Sequence, residues 1–481
     1  MQTWLRGCLL LAAWSLLPGS LLPGSLAASA ARPNVILILC DDLNDYVEGF
    51  GGHPDSQTPN LARLARSGMR FLQAHCNAPI CAPSRASLFT GIYPHHSGCF
   101  GFQRWDRYPV LKNSRTLMDH FRANGYHTLG TGKLLHHLVR QEWSEYGNPA
   151  DYGPFAFDGT QRIAHPDVPA PYRDIGAVDG SFGPLVTLTG RTSATGNPLQ
   201  WQTGGWGRVR VLPVASQKDR DPTADERNGG WAVKKLRQFA AQPGDKPFFM
   251  GVGLIRPHTP LVVPKRFFDQ FPLDSLQLPV IKPGDVDDTH ARSVRGIPTG
   301  QEPNASRTAD MGLRLFQALS ASYPSQHEGL RRFLQAYLAS VASADEQIGR
   351  ILKVVDASPL KDNTIVVVTS DHGWGMGEKD YLYKNSLWQE STRVPLIVRV
   401  PGISQPGSSS DLPVSLIDLY PTLADLCQLR GETRKNPQGH PLDGHSLRPL
   451  LENPQAVTWS GPPAALTTLY KWAQHYDPAR Q

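Results

Sequence analysis

The chain of 481 residues predicts an α/β fold: a doubly wound, mostly parallel sheet with helices on both faces. Two observations carry this. Short apolar runs, NVILILC at Asn34–Cys40 and NTIVVV at Asn363–Val368, are continuous rather than alternating, as a strand buried on both faces requires. Between such runs lie stretches with the apolar spacing of helices, and the two patterns alternate along the chain.

In chain order, the first strand ends abruptly in Asp41-Asp42. Thr58-Pro59-Asn60 opens a helix through Leu61, Leu64 and Ala65, with proline in its first turn and Gly68 past its end. Pro247–His258 is the next strand. Phe333, Leu334, Tyr337, Leu338, Val341, Ile348, Ile351 and Leu352 mark one face of a long helix over Arg331–Val355. That helix delivers the chain into the strand at Ile365, which ends in Asp371-His372. Val394–Gly402 is a further strand, and the Pro/Gly-rich stretches Pro149–Pro213 and Ile281–Ser306 are surface insertions.

Apolar content of 40% and charged content of 19% describe a soluble globular protein. The formal charge is +6, too dilute for a nucleic-acid surface though compatible with an anionic substrate. At the N-terminus Arg6 precedes an apolar run, Cys8–Leu17, and Ala28-Ser29-Ala30 offers a small-residue cleavage site. Residues 1–30 are therefore expected to be a secretory signal peptide, its apolar core too short to span a bilayer. The protein is expected to be exported, to the periplasm or the medium, or to a lysosome in an animal. No other membrane span is expected. Asn304-Ala305-Ser306 is a glycosylation sequon where the source glycosylates. The five cysteines after the leader (Cys40, Cys76, Cys81, Cys99 and Cys427) are an odd, sparse set, which argues against a disulfide scaffold, and no CxxC pair exists.

Asp41-Asp42 and Asp371-His372 both stand at the carboxyl ends of predicted parallel strands, where such sheets bind ligands. Either dipeptide alone is equally a turn or a helix cap. Together they bring three carboxylates and an imidazole, a mostly oxygen shell suited to a hard divalent ion such as calcium or magnesium. Lys133 and His136 in GKLLHH, His258 in IRPHTP and Lys384 in YLYKNS are, singly, ordinary surface groups. As a set beside a metal they could hold a tetrahedral anion. Cys81, in CAPSRASLFTG, is open to three readings: nucleophile, metal ligand or packed core thiol.

That stretch resembles the signature of the type I sulfatases, Cys-x-Pro-Ser-Arg followed by Thr-Gly, matched by Cys81, Pro83, Ser84, Arg85, Thr90 and Gly91. NVILILCDDLND, GYHTLGTGKLLHH, GLIRPHTP, TSDHGWGMGEKDYLYK and TRVPLIVRVPG resemble further family motifs in the same order. The pairing of His372 with Asp371, together with RPHTP and GEKDYLYK, is similar to the iduronate-2-sulfatase branch. The resemblance implies an alkaline-phosphatase-like fold, sulfuric ester hydrolysis and a sulfated saccharide as substrate. It also implies a maturation enzyme that oxidises Cys81 to formylglycine. By the family pattern, Asp41, Asp42, Asp371 and His372 hold one Ca2+ with residue 81. One hydroxyl of the hydrated aldehyde attacks sulfur, the alcohol leaves, and the second hydroxyl then expels sulfate. Arg85 would steady the hydrate, His136 act as base, Lys133 bind the anion, and His258 and Lys384 face the leaving group.

The expected domains are a catalytic one over 31–455 and a remnant over 456–481. The resemblance implies a strand at Ala464–Leu469 followed by a C-terminal antiparallel subdomain, which is expected to be truncated, since the chain stops at Gln481. The insertions around Asp151–Gly207 and Pro279–Pro324 are expected to wall the substrate. Two rivals stand beside sulfate-ester hydrolysis: a phosphoester or phosphonate hydrolase of the same superfamily, and an inactive glycan-binding remnant. The identity of the sugar and the oligomeric state are left open.

Overall fold

The computed structural model describes residues 32–205, 209–242, 244–285 and 310–470. The leader, the sequon at Asn304 and the chain past residue 470 lie outside these. The first apolar run forms strand β1, Asn34–Asp41, inside an eight-stranded sheet. Its companions in chain order are β2 (Met69–Phe71), β3 (His127–Gly132), β4 (Glu145–Pro149), β5 (Phe248–Pro257), β6 (Thr364–Ser370), β7 (Leu396–Arg399) and β8 (Ser408–Ser410). The spatial order is β8-β2-β7-β6-β1-β5-β3-β4.

β1 pairs in parallel with β5 and β6, and the parallel run continues through β3 to β4. β7 is antiparallel to both β6 and β2, so within this sheet it alone runs against the rest. A parallel β7 would need a crossover back to the other end of the sheet. Residues 371–395 make no such crossover; they stay at the carboxyl end of β6, where Asp371 and Lys384 both line the site described below.

Five helices matter to the site: α1 (Pro59–Ser67), α2 (Cys81–Thr90), α3 (Pro94–Ser97), α4 (Ala224–Ala241) and α5 (Gln326–Asp356). Alternate residues of β1 join different cores. Ile36 and Ile38 pack with α1, α4 and α5, while Val35, Leu37 and Leu39 pack with α2 and the helices Leu117–Ala123 and Leu419–Leu426. All five side chains are fully buried, each contributing about 1.5–3 kcal/mol. This two-sided burial is why the run is continuous in sequence.

α5 begins at Gln326, earlier than the Arg331 start that periodicity predicts. Ser325 caps it by accepting from the Glu328 amide at 3.2 Å, and the polar first turn carries no apolar signal. The 149–213 insertion has its own sheet, ordered Arg210–Val211, Gln200–Thr203, Phe155–Phe157 and Arg162–Ile163, over a small core around Leu185 and Trp201. Ala464–Leu469 forms no strand; it lies along residues 76–77, with the Thr468 amide on the Asn77 carbonyl at 2.9 Å. No helix among the described residues is long and apolar enough to cross a membrane.

Candidate active site at the carboxyl ends of the strands

Four adjacent strands, β6, β1, β5 and β3, end at one place and deliver Asp371-His372, Asp41-Asp42, His258 and Lys133 to it. α2 begins there, with Cys81 as its first residue. Side chains on a strand alternate faces, so two consecutive aspartates should diverge. They do not, because the β1–β5 register shifts between Leu39 and Asp41 and Asp42 adopts a left-handed φ of 67°. For a non-glycine residue this is strained, of order 1–3 kcal/mol. The Tyr337 hydroxyl of α5 holds the turn by donating to the Asp42 carbonyl at 2.7 Å and accepting from the Asn44 amide at 3.0 Å.

Lys133 turns inward after Gly132, whose φ is +78° and where a Cβ would collide with the Gly253 carbonyl oxygen. His258 is held at the end of β5 from behind. The Asp225 carboxylate of α4 accepts the Ile255 and Arg256 amides at 2.8 and 2.9 Å, and the Arg256 guanidinium donates to the His258 and Gly153 carbonyls at 2.8 and 2.9 Å.

Ligand atoms of Asp41, Asp42, Cys81 and His372 all lie within 4.8 Å of one another, and all four residues are buried. The Cys81 thiol is 3.5 Å from Asp41 Oδ1 and 3.3 Å from His372 Nε2. Lys384 Nζ donates to both Asp42 oxygens at 2.8 and 3.1 Å and stands 3.3 Å from Cys81 Sγ. Lys133 Nζ donates to Asp41 Oδ2 and lies 5.0 Å above the Tyr152 ring. Asp371 is beside this group but not in it. Its Oδ2 accepts from Arg85 Nε at 2.7 Å, and its Oδ1 accepts the His372 and Asp42 amides at 2.9 and 3.3 Å.

Arg85, fully buried, turns its remaining donors to the carbonyls of Lys133, Leu134 and Cys40, and toward Asp41 Oδ1 at 3.5 Å. His258 faces Asp42 with Nε2 3.9 Å from Oδ2, while its Nδ1 donates to the Thr259 carbonyl at 2.5 Å. His136 touches none of these by hydrogen bond. It packs on Phe102 and His137, its Nδ1 buried without a hydrogen-bond partner.

Burial alone would raise the Asp41 carboxyl, but Lys133, His258, Arg85 and Lys384 together hold it well below the usual carboxylate range. Asp42 goes the other way: burial, helped by the charge of Asp41, pushes it up to about 8 despite Lys384 and His372. Burial opposes the charge on Lys133 and Lys384, yet Asp41 and Asp42 respectively overcome it and keep both ammonium groups charged. Burial lowers His258 and His136 well below the usual imidazole value, helped by Lys384 and Lys133 respectively, so both rings are neutral near pH 7. The Cys81 thiol is raised by burial and by Asp41. Reactive cysteines have lowered values, so residue 81 as a thiol is a poor nucleophile. A carboxyl that must hold a proton in a buried cluster of ligand atoms marks a place where a cation would relieve the burial cost.

Tyr152 escapes sequence reasoning. It lies in a Pro/Gly-rich stretch with no motif, yet its ring contacts Lys133 and packs edge-on against His258 at 5.0 Å. Asp225 and Tyr337 are likewise invisible, one in the first turn of a capped helix and one on an amphipathic face.

Comparison with known proteins identifies the family. A family model described as Sulfatase matches residues 33–429. A sulfatase of Formosa agariphila is 32% identical over 408 residues, covering 84% of this chain and 71% of that protein. Human iduronate 2-sulfatase is 30% identical over 426 residues, covering 82% and 69% respectively. Among solved structures, a phosphonate monoester hydrolase from Silicibacter pomeroyi superposes with a TM-score of 0.60 at 21% identity, covering 89% of this chain and 78% of that one. A 2-O GAG sulfatase superposes with a TM-score of 0.56 at 22% identity, covering 90% and 76%. At these identities the superpositions speak for the fold alone.

Proposed function

The chain belongs to the sulfatase family and is a sulfuric ester hydrolase; on that premise we propose that it acts on a sulfated carbohydrate, with residue 81 matured to formylglycine and one calcium ion beside it. The observation that carries this reading is the buried cluster of Asp41, Asp42, His372 and residue 81, flanked by Lys133 and Lys384. The donor set fits calcium better once residue 81 carries oxygen in place of sulfur, because a hard divalent ion prefers oxygen ligands. Asp41, Asp42, His372 and residue 81 would hold the ion, with Asp371 next to them. Bound there, calcium would supply Lewis acidity that eases loss of a hydroxyl proton and offsets the charge of the ester oxygens. The hydrated aldehyde would supply the two hydroxyls that a thiol lacks.

The remaining roles follow from the chain's own residues. Asp41, Asp42 and Asp371 are balanced in formal charge by Arg85, Lys133 and Lys384, so a divalent cation leaves the site positive and receptive to an anionic ester. Lys133 and Lys384 keep their ammonium charge and bind sulfate oxygens from two sides. Arg85 has no donor left for substrate; it is a positioning residue that fixes Asp371 and the start of α2. The Nδ1 proton of His258 is committed to the Thr259 carbonyl, so Nε2 presents a lone pair to the site and Lys384 is the better donor to the departing oxygen. His136 is neutral with an unpartnered Nδ1, and on this reading it takes the proton when sulfate is expelled.

The test uses secreted, calcium-loaded enzyme. Defined sulfated saccharides are screened by chromatography for desulfated product, and the peptide containing residue 81 is examined by mass spectrometry. Desulfation with an aldehyde at residue 81 is expected. Full turnover with an unaltered thiol, or no release from any saccharide, overturns the proposal.

A further inference from the structure

A second group of ligand atoms lies at the other end of α2. Cys81 begins that helix and Gly91 closes it, and α3 with the 440–443 loop follows at its carboxyl end. His96, His440 and Asp443 place one donor atom each within 4.8 Å of one another. We propose that these three side chains form a structural site for a zinc-type divalent ion that pins the 440–443 loop to the end of the Cys81 helix.

The donor set and its spacing both point to such an ion. Two imidazoles and a carboxylate suit zinc, whereas calcium and magnesium prefer all-oxygen shells. Ligands about 2.0–2.2 Å from a tetrahedral ion stand roughly 3.3–3.6 Å apart. His96 Nδ1 is 2.9 and 3.0 Å from the two Asp443 oxygens, and His440 Nδ1 is 3.6 Å from Asp443 Oδ1. The set therefore needs only small side-chain movements to close on an ion.

Its backbone is already fixed. The Asp443 amide donates to the Gly91 carbonyl at 2.8 Å, and Asp443 Oδ2 accepts the Tyr93 amide at 2.8 Å, which leaves Oδ1 for a ligand. The His96 and His440 rings stack at 4.6 Å with 24° between planes, and His95 adds a third imidazole 4.3 Å from His96. His440 Nδ1 now faces the Pro441 carbonyl at 2.9 Å; to ligate through that atom the ring presents the Nδ1 lone pair to the ion and leaves Nε2 to carry the N–H. His96 is exposed, so an ion reaches the site from solvent.

Zinc is titrated calorimetrically, in excess calcium, into the wild-type protein and the His96→Gln, His440→Gln and Asp42→Asn variants. Cobalt spectra of the wild type report the ligand geometry. The expected result is one zinc bound by the wild type and by Asp42→Asn. An outer-sphere partner is already worth about 10–100-fold in affinity, so loss of a direct ligand in His96→Gln or His440→Gln weakens binding at least that much. Zinc-free melting verifies that each glutamine variant is folded; His96→Gln, at an exposed position, decides if His440→Gln is not. No uptake by the wild type, uptake undiminished in a folded glutamine variant, or loss in Asp42→Asn alone each overturns the proposal. A wild-type cobalt spectrum without tetrahedral bands does the same. None of these outcomes depends on the reaction at residue 81.

Discussion

Replacing Arg85 separates its positioning role from its charge. In Arg85→Ala, Asp371 Oδ2 loses its 2.7 Å donor and keeps only His372 Nε2 at 3.6 Å, the carbonyls of Lys133 and Leu134 lose theirs, and the Cys40 carbonyl keeps the Asp371 amide at 3.2 Å. Breaking a buried ion pair from one side costs about 3–5 kcal/mol, and each abandoned carbonyl adds about 1 before water refills the space. A net loss near 5 kcal/mol follows. Arg85→Lys keeps the charge but cannot serve Asp371 and the carbonyls at once, so about half that loss is expected. An unfolding entropy of about 2.1 cal/mol/K per residue, over roughly 450 residues, converts each kcal/mol to about 1 °C of melting temperature. Calorimetric melts in calcium should show a drop of about 5 °C for alanine and 2–3 °C for lysine. An alanine variant within about 1 °C of wild type, or equal drops for the two, refutes this account of Arg85. Melting is a better readout than turnover because Arg85 also belongs to the stretch that a maturation enzyme would read.

Three further outcomes follow from the same geometry. Calcium should raise the melting temperature of the wild-type protein, by about 2.7 kcal/mol of stability at a hundredfold excess over its Kd, and raise that of Asp42→Asn far less; an equal gain in both would place the ion elsewhere. The Asp42 carboxyl is raised above its unfolded value to about 8, so the ion-free fold holds a proton there that calcium must displace. In that form the contribution of Asp42 to stability declines as pH rises from about 4 to 8, and calcium affinity should weaken up to about tenfold per pH unit below 8; calorimetric titration near pH 6 and pH 8 giving one Kd would contradict this. Tyr152→Leu removes a desolvated cation–π contact worth about 2 kcal/mol and should lower kcat/KM for a sulfate ester by up to about thirtyfold. Unchanged kinetics would leave Tyr152 as packing.

The legible parts of this molecule share one property: the chemistry needed consecutive residues. Asp41-Asp42, Asp371-His372 and the CAPSR stretch stand out because strand ends and a helix start concentrate several groups within a few positions. The two-sided burial of β1 and β6 likewise writes itself as an unbroken apolar run. The antiparallel β7 was not legible, because strand direction depends on where the connecting loop goes, and residues 371–395 read the same whether or not they cross the sheet.

Tyr152, Asp225 and Tyr337 were missed for a related reason. Each acts through a backbone group or a ring face far away in sequence, and nothing beside it in the chain declares the partner. Arg85 lies between the two cases. Its place in a linear motif suggested contact with the reacting group, whereas its hydrogen bonds go to the walls of the site. A linear pattern tells where a residue is needed without telling what it touches. For Arg85 the touching partners are a carboxylate and three carbonyls, and they require a planar, permanently charged fork rather than merely a positive charge.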